Sequence, residues 1–248
     1  MDENRKIPKH ISIILDGNRR WAKKRSLPTL QGHTEGARNL ERIAVYCDKI
    51  GVKYLTVYAF STENWNREKE EVDYLMKLMT KYIKDFDRKF KNSNARIRLT
   101  GDIKRLPEDL QESIRKIEEK TKNNEGLTLN LCINYGGREE IVNATKVIAE
   151  KVKNGEIDIS EINEGMISKN LRTGEIPDPD LFIRPGGEIR LSGFLLWQSS
   201  YSELYFAEPL WPDFDEKELD KAIDVFNNRT RRFRKIRRNI WQSVLYLP

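Results

Sequence analysis

The chain has 248 residues, 38% of them hydrophobic and five of them tryptophan, so it can bury a sizeable core and is not a disordered chain, despite a charged content of 34%. Its net charge of +6 is concentrated at the C-terminal end, in Arg229, Arg231, Arg232, Arg234, Lys235, Arg237 and Arg238. The remainder is nearly neutral, which argues against a nucleic-acid-binding surface across the domain. Two cysteines, Cys47 and Cys132, exclude a disulfide framework; with no CxxC or His–Cys cluster they predict buried thiols in a reduced, cytoplasmic setting rather than a zinc site.

The opening MDENRKIPKH is polar, and the apolar run after it is too short for a signal sequence or a membrane span. That run, ISIILD (11–16), is the first of six strand-like segments. A helical pattern over 34–51 follows, with Ala37, Leu40, Ile43, Ala44 and Cys47 on one face and Gly51 at its close. The second strand is KYLTVYAF (53–60). Residues 68–91 then read as a long amphipathic helix carrying Val72, Leu75, Met76, Met79, Ile83, Phe86 and Phe90. After the strand ARIRLTG (95–101), a helix over 107–122 begins at Pro107, a favoured first helical position. The strand LTLNLCINYGG (127–137), a helix over 138–153, the strands DLFIR (180–184) and ELYFA (203–207), and a last helix over 215–233 complete the chain. No internal repeat and no Pro-, Gly- or Ser-rich linker interrupts it. Strands alternating with helices predict one α/β domain over residues 1–248, a mostly parallel six-stranded sheet flanked by helices, with a basic extension from about 234.

In such sheets ligands sit beyond the carboxyl ends of the strands. The first strand ends there in Asp16-Gly17-Asn18, followed at once by Arg19, Arg20 and Trp21. A carboxylate beside cations suits a magnesium diphosphate, because the metal takes hard oxygens and the phosphates take donors. Taken alone, a DGN turn with solvated arginines is the bland alternative. Two further strand ends repeat the pattern. YAFSTENWNR places Ser61, Glu63, Asn64, Trp65 and Arg67 there, and IRPGGEIRLS places Arg184, Glu188, Arg190 and Ser192 around a Gly186-Gly187 turn. Trp65 as a core residue, or Arg190 paired with Glu188, would explain either one structurally. Three polar constellations at carboxyl ends are harder to explain that way. No GxxxxGK[ST] and no GxGxxG is present, so neither a P-loop nor a dinucleotide site is indicated.

These blocks, HISIILDGNRRWAKKR, GHTEGA, LTVYAFSTENWNR, LNLCINYGGREEI, DLFIRPGGEIRLSGFLLWQSSYSELYF and LWPDFDE, resemble the cis-prenyltransferases of the undecaprenyl diphosphate synthase type, in order over roughly residues 8–233. The resemblance implies a homodimer, a hydrophobic tunnel, and Mg2+-dependent addition of isopentenyl diphosphate to an allylic diphosphate such as farnesyl diphosphate, forming Z double bonds. By position it implies that Asp16 is the catalytic and metal-binding aspartate. Gly17, Asn18, Arg20 and Trp21 match the allylic diphosphate pocket, with Arg19 at a less constrained position and His33 matching a phosphate-binding or pocket-holding histidine. Ser61, Thr62, Glu63, Asn64, Trp65 and Arg67 match the segment between the substrates, with Asn64 assisting proton removal. Arg184, Arg190, Leu191 and Ser192 match the grip on isopentenyl diphosphate, and Glu203 matches a contributor to the metal site, across the dimer or within the chain.

The chain departs from the pattern twice. Thr29 stands where an RxxGH motif has arginine, and Arg234 stands where an RRFG motif has glycine. Three readings follow: a Z-specific chain elongator, a relative making a short or branched prenyl product, and a non-catalytic partner subunit or nucleic-acid binder. Retention of Asp16, Asn64, Arg67, Arg190 and Glu203 favours the first two. The tail repeats Phe226, Arg229, Phe233, Ile236, Ile240 and Val244 at helical spacing among its cations, which predicts either peripheral contact with an anionic membrane or a helix packed on the dimer.

Overall fold

A computed structural model describes residues 5–85 and 94–229. All six expected strands form, as β1 (His10–Ile14), β2 (Tyr54–Ser61), β3 (Arg96–Thr100), β4 (Thr128–Tyr135), β5 (Leu181–Arg184) and β6 (Glu203–Phe206). They make one sheet in the order β3-β4-β2-β1-β5-β6, and every pairing is parallel. The mostly parallel expectation thus becomes wholly parallel. Its central strand, β1, is buried at all five positions, as a strand covered on both faces must be. At the β3 edge, α4 (Glu108–Thr121) blunts the open ladder: Ile97 N–H donates to Thr121 Oγ1 at 3.0 Å and Leu99 N–H to Glu118 Oε1 at 2.9 Å.

Seven α-helices lie within the described residues. α1 (Asn18–Lys24) is not among the helices the sequence pattern predicts, and α2 (Thr29–Ile50) starts five residues before the expected Thr34. α3 (Lys69–Lys84) carries the first part of the expected 68–91 helix; Phe86 and Phe90 lie outside the described residues. Pro107 is the N-cap of α4 rather than its first residue. α5 (Gly137–Lys153) matches its expectation within a residue, and the short α6 (Glu164–Asn170), capped by Asn163, was not anticipated. α7 spans 216–229; the rest of the expected 215–233 helix and the basic tail, including Arg234, lie outside the described residues. No described helix is long and apolar enough to cross a membrane. Cys47 and Cys132 are both buried free thiols, as expected, and burial raises the pKa of each.

Strand alternation divides the core. Ile11, Ile13, Leu55, Val57, Ile97, Leu129 and Ile133 face α2, α3, α4 and α7 in one large apolar cluster, with Trp211 and Phe214 among its fully buried side chains. Ile14, Tyr58, Cys132 and Phe182 form a smaller cluster on the other face with Tyr135, Phe194 and Leu195. The site lies where β1, β2 and β5 end.

Candidate active site

β1 stops two residues short of Asp16, because Gly17 takes φ +110°, a left-handed conformation open to glycine and costly for other residues. The position is also sterically closed: a Cβ there would lie 2.8 Å from Leu210 Cδ2. The resulting turn sets Asp16 between two guanidinium groups. Arg184 Nη2, on the last residue of β5, is 2.8 Å from Asp16 Oδ2, and Arg20 Nη2, one turn into α1, is 3.1 Å from Oδ1. Arg184 is buried and also donates through Nη1 to Ser192 Oγ (2.8 Å) and to the Arg190 carbonyl (2.5 Å), so it organises the loop after β5. Arg20 Nη1 donates to the Gly186 carbonyl at 2.7 Å and lies 3.5 Å from Glu188 Oε1. Arg190 pairs with Glu188, the structural alternative raised by the sequence, yet both Arg190 and Ser192 also line the cavity described below. Leu191 is half-buried against the smaller core cluster.

At the end of β2, residues 62–66 form a 3-10 turn closed by a capping box: Asn64 Oδ1 accepts from Ser61 N–H at 3.0 Å. Ser61, Glu63, Asn64 and Arg67 line the cavity. Trp65 turns instead to the structural side, where its indole N–H donates to Asn134 Oδ1 (2.7 Å), its ring meets Phe60 edge-on, and Arg105 stacks 4.6 Å away. Trp21 likewise binds Asp213 (2.7 Å) and carries Arg25 on its face at 4.3 Å. Thr62 sits against Gly136, where a Cβ would meet its Oγ1 at 2.8 Å.

A second charged knot lies beside the first. Glu71, near the start of α3, is buried and receives His33 Nε2 at 2.9 Å and Arg67 Nη1 at 2.8 Å, with Arg19 Nε at 3.8 Å. Burial alone would raise the Glu71 carboxyl, but the His33 hydrogen bond and the Arg67 and Arg19 charges bring it below its ordinary value. Burial lowers the His33 imidazole, so at neutral pH it is uncharged and donates its Nε2–H to Glu71. The knot therefore fixes Arg67 at the wall by a buried carboxylate.

Both knots open into a cavity of about 630 Å3. Its mouth holds Asp16, Asn18, His33, Asn64, Arg67 and Arg184; its depth is apolar, formed by Leu40, Leu75, Met79, Ile117, Leu129 and Leu131 among others. Glu203 does not join them. It stands at the amino end of β6, level with Leu181, whereas Asp16 lies beyond the carboxyl ends, and it pairs with Arg229 at 3.3 Å.

A charged mouth over an apolar pocket suits an amphiphile with an anionic head. The family model described as putative undecaprenyl diphosphate synthase matches residues 14–234 of the chain. This protein belongs to that family of prenyltransferases.

Among curated relatives, an isoprenyl transferase of Clostridium perfringens is 52% identical over 92% of this prenyltransferase and 90% of the relative. A ditrans,polycis-undecaprenyl-diphosphate synthase ((2E,6E)-farnesyl-diphosphate specific) of Micrococcus luteus is 49% identical, covering 92% and 91%. Among solved structures, lavandulyl diphosphate synthase from Lavandula x intermedia, in complex with dimethylallyl diphosphate, superimposes with a TM-score of 0.86 at 38% identity, covering 91% of this chain and 97% of that one. A probable undecaprenyl diphosphate synthase from Campylobacter jejuni gives 0.73 at 35% identity, covering 90% and 96%.

The sequence reading of this prenyltransferase missed Glu71 and Tyr58. Glu71 had a signal: it is a carboxylate on the apolar stripe of α3, four residues before Leu75 and four after Arg67. Tyr58 had none, since a tyrosine in a strand is ordinary; it lines the cavity while stacking on Phe194, with ring centroids 4.6 Å apart.

Proposed function

We propose that this prenyltransferase condenses isopentenyl diphosphate with an allylic diphosphate, such as farnesyl diphosphate, to give a polyprenyl diphosphate with new Z double bonds. The observation that carries the reading is Asp16 held between Arg20 and Arg184 at the mouth of a deep apolar cavity. The apolar depth takes the prenyl chain, whose burial drives binding at roughly 25 cal/mol per Å2. Arg20 neutralises the allylic diphosphate as it leaves, a contact that strengthens as charge develops. Arg184, Arg190 and Ser192 hold the second diphosphate on the far side of Asp16, which aligns its double bond with the allylic carbon. Asn64 and Ser61, on the wall between the two ends, orient the proton that is lost.

Mg2+ fits the donor set at this mouth. Among the described residues no group of three or more His, Cys, Asp or Glu side chains forms a protein cage for a metal. Mg2+ instead commonly takes one or two carboxylates together with substrate phosphates and waters. Asp16 is the carboxylate that would hold it, and the ion would supply charge neutralisation at the leaving diphosphate.

The chain acts as a homodimer. Ile189 and Tyr201, 78% and 100% exposed, offer apolar surface for that contact, and Glu203, remote from Asp16 within one chain, serves the metal site across it. The basic tail supports peripheral contact with an anionic membrane.

Incubation with labelled isopentenyl diphosphate and farnesyl, geranyl or dimethylallyl diphosphate, with Mg2+ and with chelator, tests the reaction. Label should enter a long apolar product with farnesyl diphosphate and Mg2+ only. A single short or branched product from dimethylallyl diphosphate would replace this reading with the alternative chemistry.

A further inference from the structure

A second carboxylate, besides Asp16, spans the two cationic grips of the mouth. Asp16 joins Arg20 to Arg184, at 3.1 and 2.8 Å. Glu188 joins Arg20 to Arg190, one oxygen to each: Oε1 lies 3.5 Å from Arg20 Nη1, and Oε2 pairs with Arg190 Nη1. Arg184 Nη1 donates to the Arg190 carbonyl at 2.5 Å, which closes a ring of contacts. Asp16 has its place in the reaction. Glu188 has none so far, yet it occupies guanidinium groups that serve two different diphosphates.

The two carboxylates differ in how firmly they are held. Asp16 is the shorter side chain, and its backbone is tied on both sides: its N–H donates to the Ile14 carbonyl, and its own carbonyl accepts from Trp211 N–H, each at 2.9 Å. Glu188 follows Gly186 and Gly187, whose φ of +94° and +73° make a tight turn. The turn is pinned, since Gly186 N–H donates to the Pro209 carbonyl at 2.8 Å and Gly187 N–H to the Ala207 carbonyl at 2.9 Å. Arg20 lies directly against it, and a Cβ on Gly186 would meet Arg20 Nη2 at 2.7 Å. The backbone thus fixes the root of Glu188, while its side chain, 34% exposed, is free to change rotamer into water.

We propose that Glu188 is a latch between the two substrate sites, which either diphosphate opens and whose opening prepares the other site. A diphosphate arriving at Arg20 places negative charge beside the Glu188 carboxylate and repels it. Both oxygens belong to one rigid group, so a swing that frees Arg20 frees Arg190 as well. The reverse holds for a diphosphate arriving at Arg190. A ligand binding alone therefore works against the latch, and a second ligand does not. Glu188 is a positioning residue in this scheme, because it acts through the arginines and touches neither substrate. The inference rests on the reading that Arg20 and Arg190 serve separate diphosphates of one condensation, which incorporation of isopentenyl label by the unaltered enzyme tests without reference to Glu188.

Titration calorimetry in Mg2+ tests the latch, with isopentenyl diphosphate and a farnesyl thiodiphosphate whose bridging sulfur blocks turnover. In the unaltered enzyme each ligand should tighten binding of the other, by about fivefold or more for a coupling of ordinary size. Glu188→Gln should bind each ligand more tightly alone, and that gain should match the mutual enhancement it loses. Glu188→Ala repeats the neutral test with no amide to rebuild the bridge. Glu188→Asp keeps the charge on an arm too short to span both arginines, so it should lose the enhancement too. Enhancement that persists in the neutral variants, or is absent from the unaltered enzyme while both ligands bind, overturns the proposal. So does enhancement that survives in Glu188→Asp, which would mark a through-space effect of the charge rather than a latch.

Discussion

The two faces of the sheet use alternate residues of the same strands and reach opposite states. On one, Leu129, Leu131, Ile133 and Ile97 present unbroken aliphatic surface, and all four line the cavity. On the other, a polar chain crosses four strands: His10 Nε2 to Thr56 Oγ1 at 2.8 Å, Asn130 Nδ2 to the same oxygen at 3.4 Å, and Thr100 Oγ1 to Asn130 Oδ1 at 2.9 Å. Beside it Tyr58, Tyr135, Phe182 and Phe194 close the face with aromatic contacts. Directional bonds and flat rings specify one tight arrangement, so that face can anchor the loop carrying Arg190 and Ser192. Aliphatic surface imposes no such geometry, so the cavity face can accept chains of differing length.

The largest effect should come from the point where both faces end. Asp16→Ala should lower kcat on the order of a thousandfold, as loss of a principal charge-stabilising group does. Its melting temperature should change little, and near-normal turnover at saturating substrate and Mg2+ would remove the site assignment.

The contrast in packing is open to a direct pair of substitutions. Phe194→Ala, in the filled face, should destabilise by about 3–5 kcal/mol, whereas Leu131→Ala, at the wall of the cavity, should cost nearer to 1 kcal/mol because its contacts are already incomplete. Urea unfolding of both variants gives the difference; equal losses would mean that the cavity is as well packed as the aromatic face.

The polar face should also titrate. Burial lowers the His10 pKa to about 4, so it is neutral in the fold while the unfolded chain takes up a proton near pH 6.5. Unfolding then consumes a proton, and stability should fall as pH drops from about 6.5 to 4, by roughly 3 kcal/mol, with no further loss from this group below. His33, lowered in the same direction, adds to that slope. Denaturant midpoints across pH 4–7 should show a shallower decline in His10→Gln than in the parent protein, and an identical slope would acquit His10.

The smallest expected change concerns the cavity mouth. Thr29 opens α2 one turn before His33 and is half-buried. Thr29→Arg should lower KM for the allylic diphosphate, by a charge-assisted contact worth about 1.5–3 kcal/mol at most. Unchanged or weaker binding would show a pocket rebuilt around threonine.

The sequence by itself determined the strands and most of the mouth. Alternation and β-branched runs are local signals, and three of the six strands ended in residues whose chemistry stood out against the run before them: Asp16, the Ser61–Arg67 segment and the Arg184–Ser192 loop. It did not reveal α1, because that helix depends on Gly17 packing under Leu210, nearly two hundred positions away. Nor did it reveal Glu71, whose partners come from α1, α2 and the turn after β2, or the remoteness of Glu203, which follows from the register of β6 on β5. Which charges meet, and where apolar walls fail to touch, depend on strand order and helix placement. Those are long-range properties, decided by the packing of segments that carry no mark of one another in the chain.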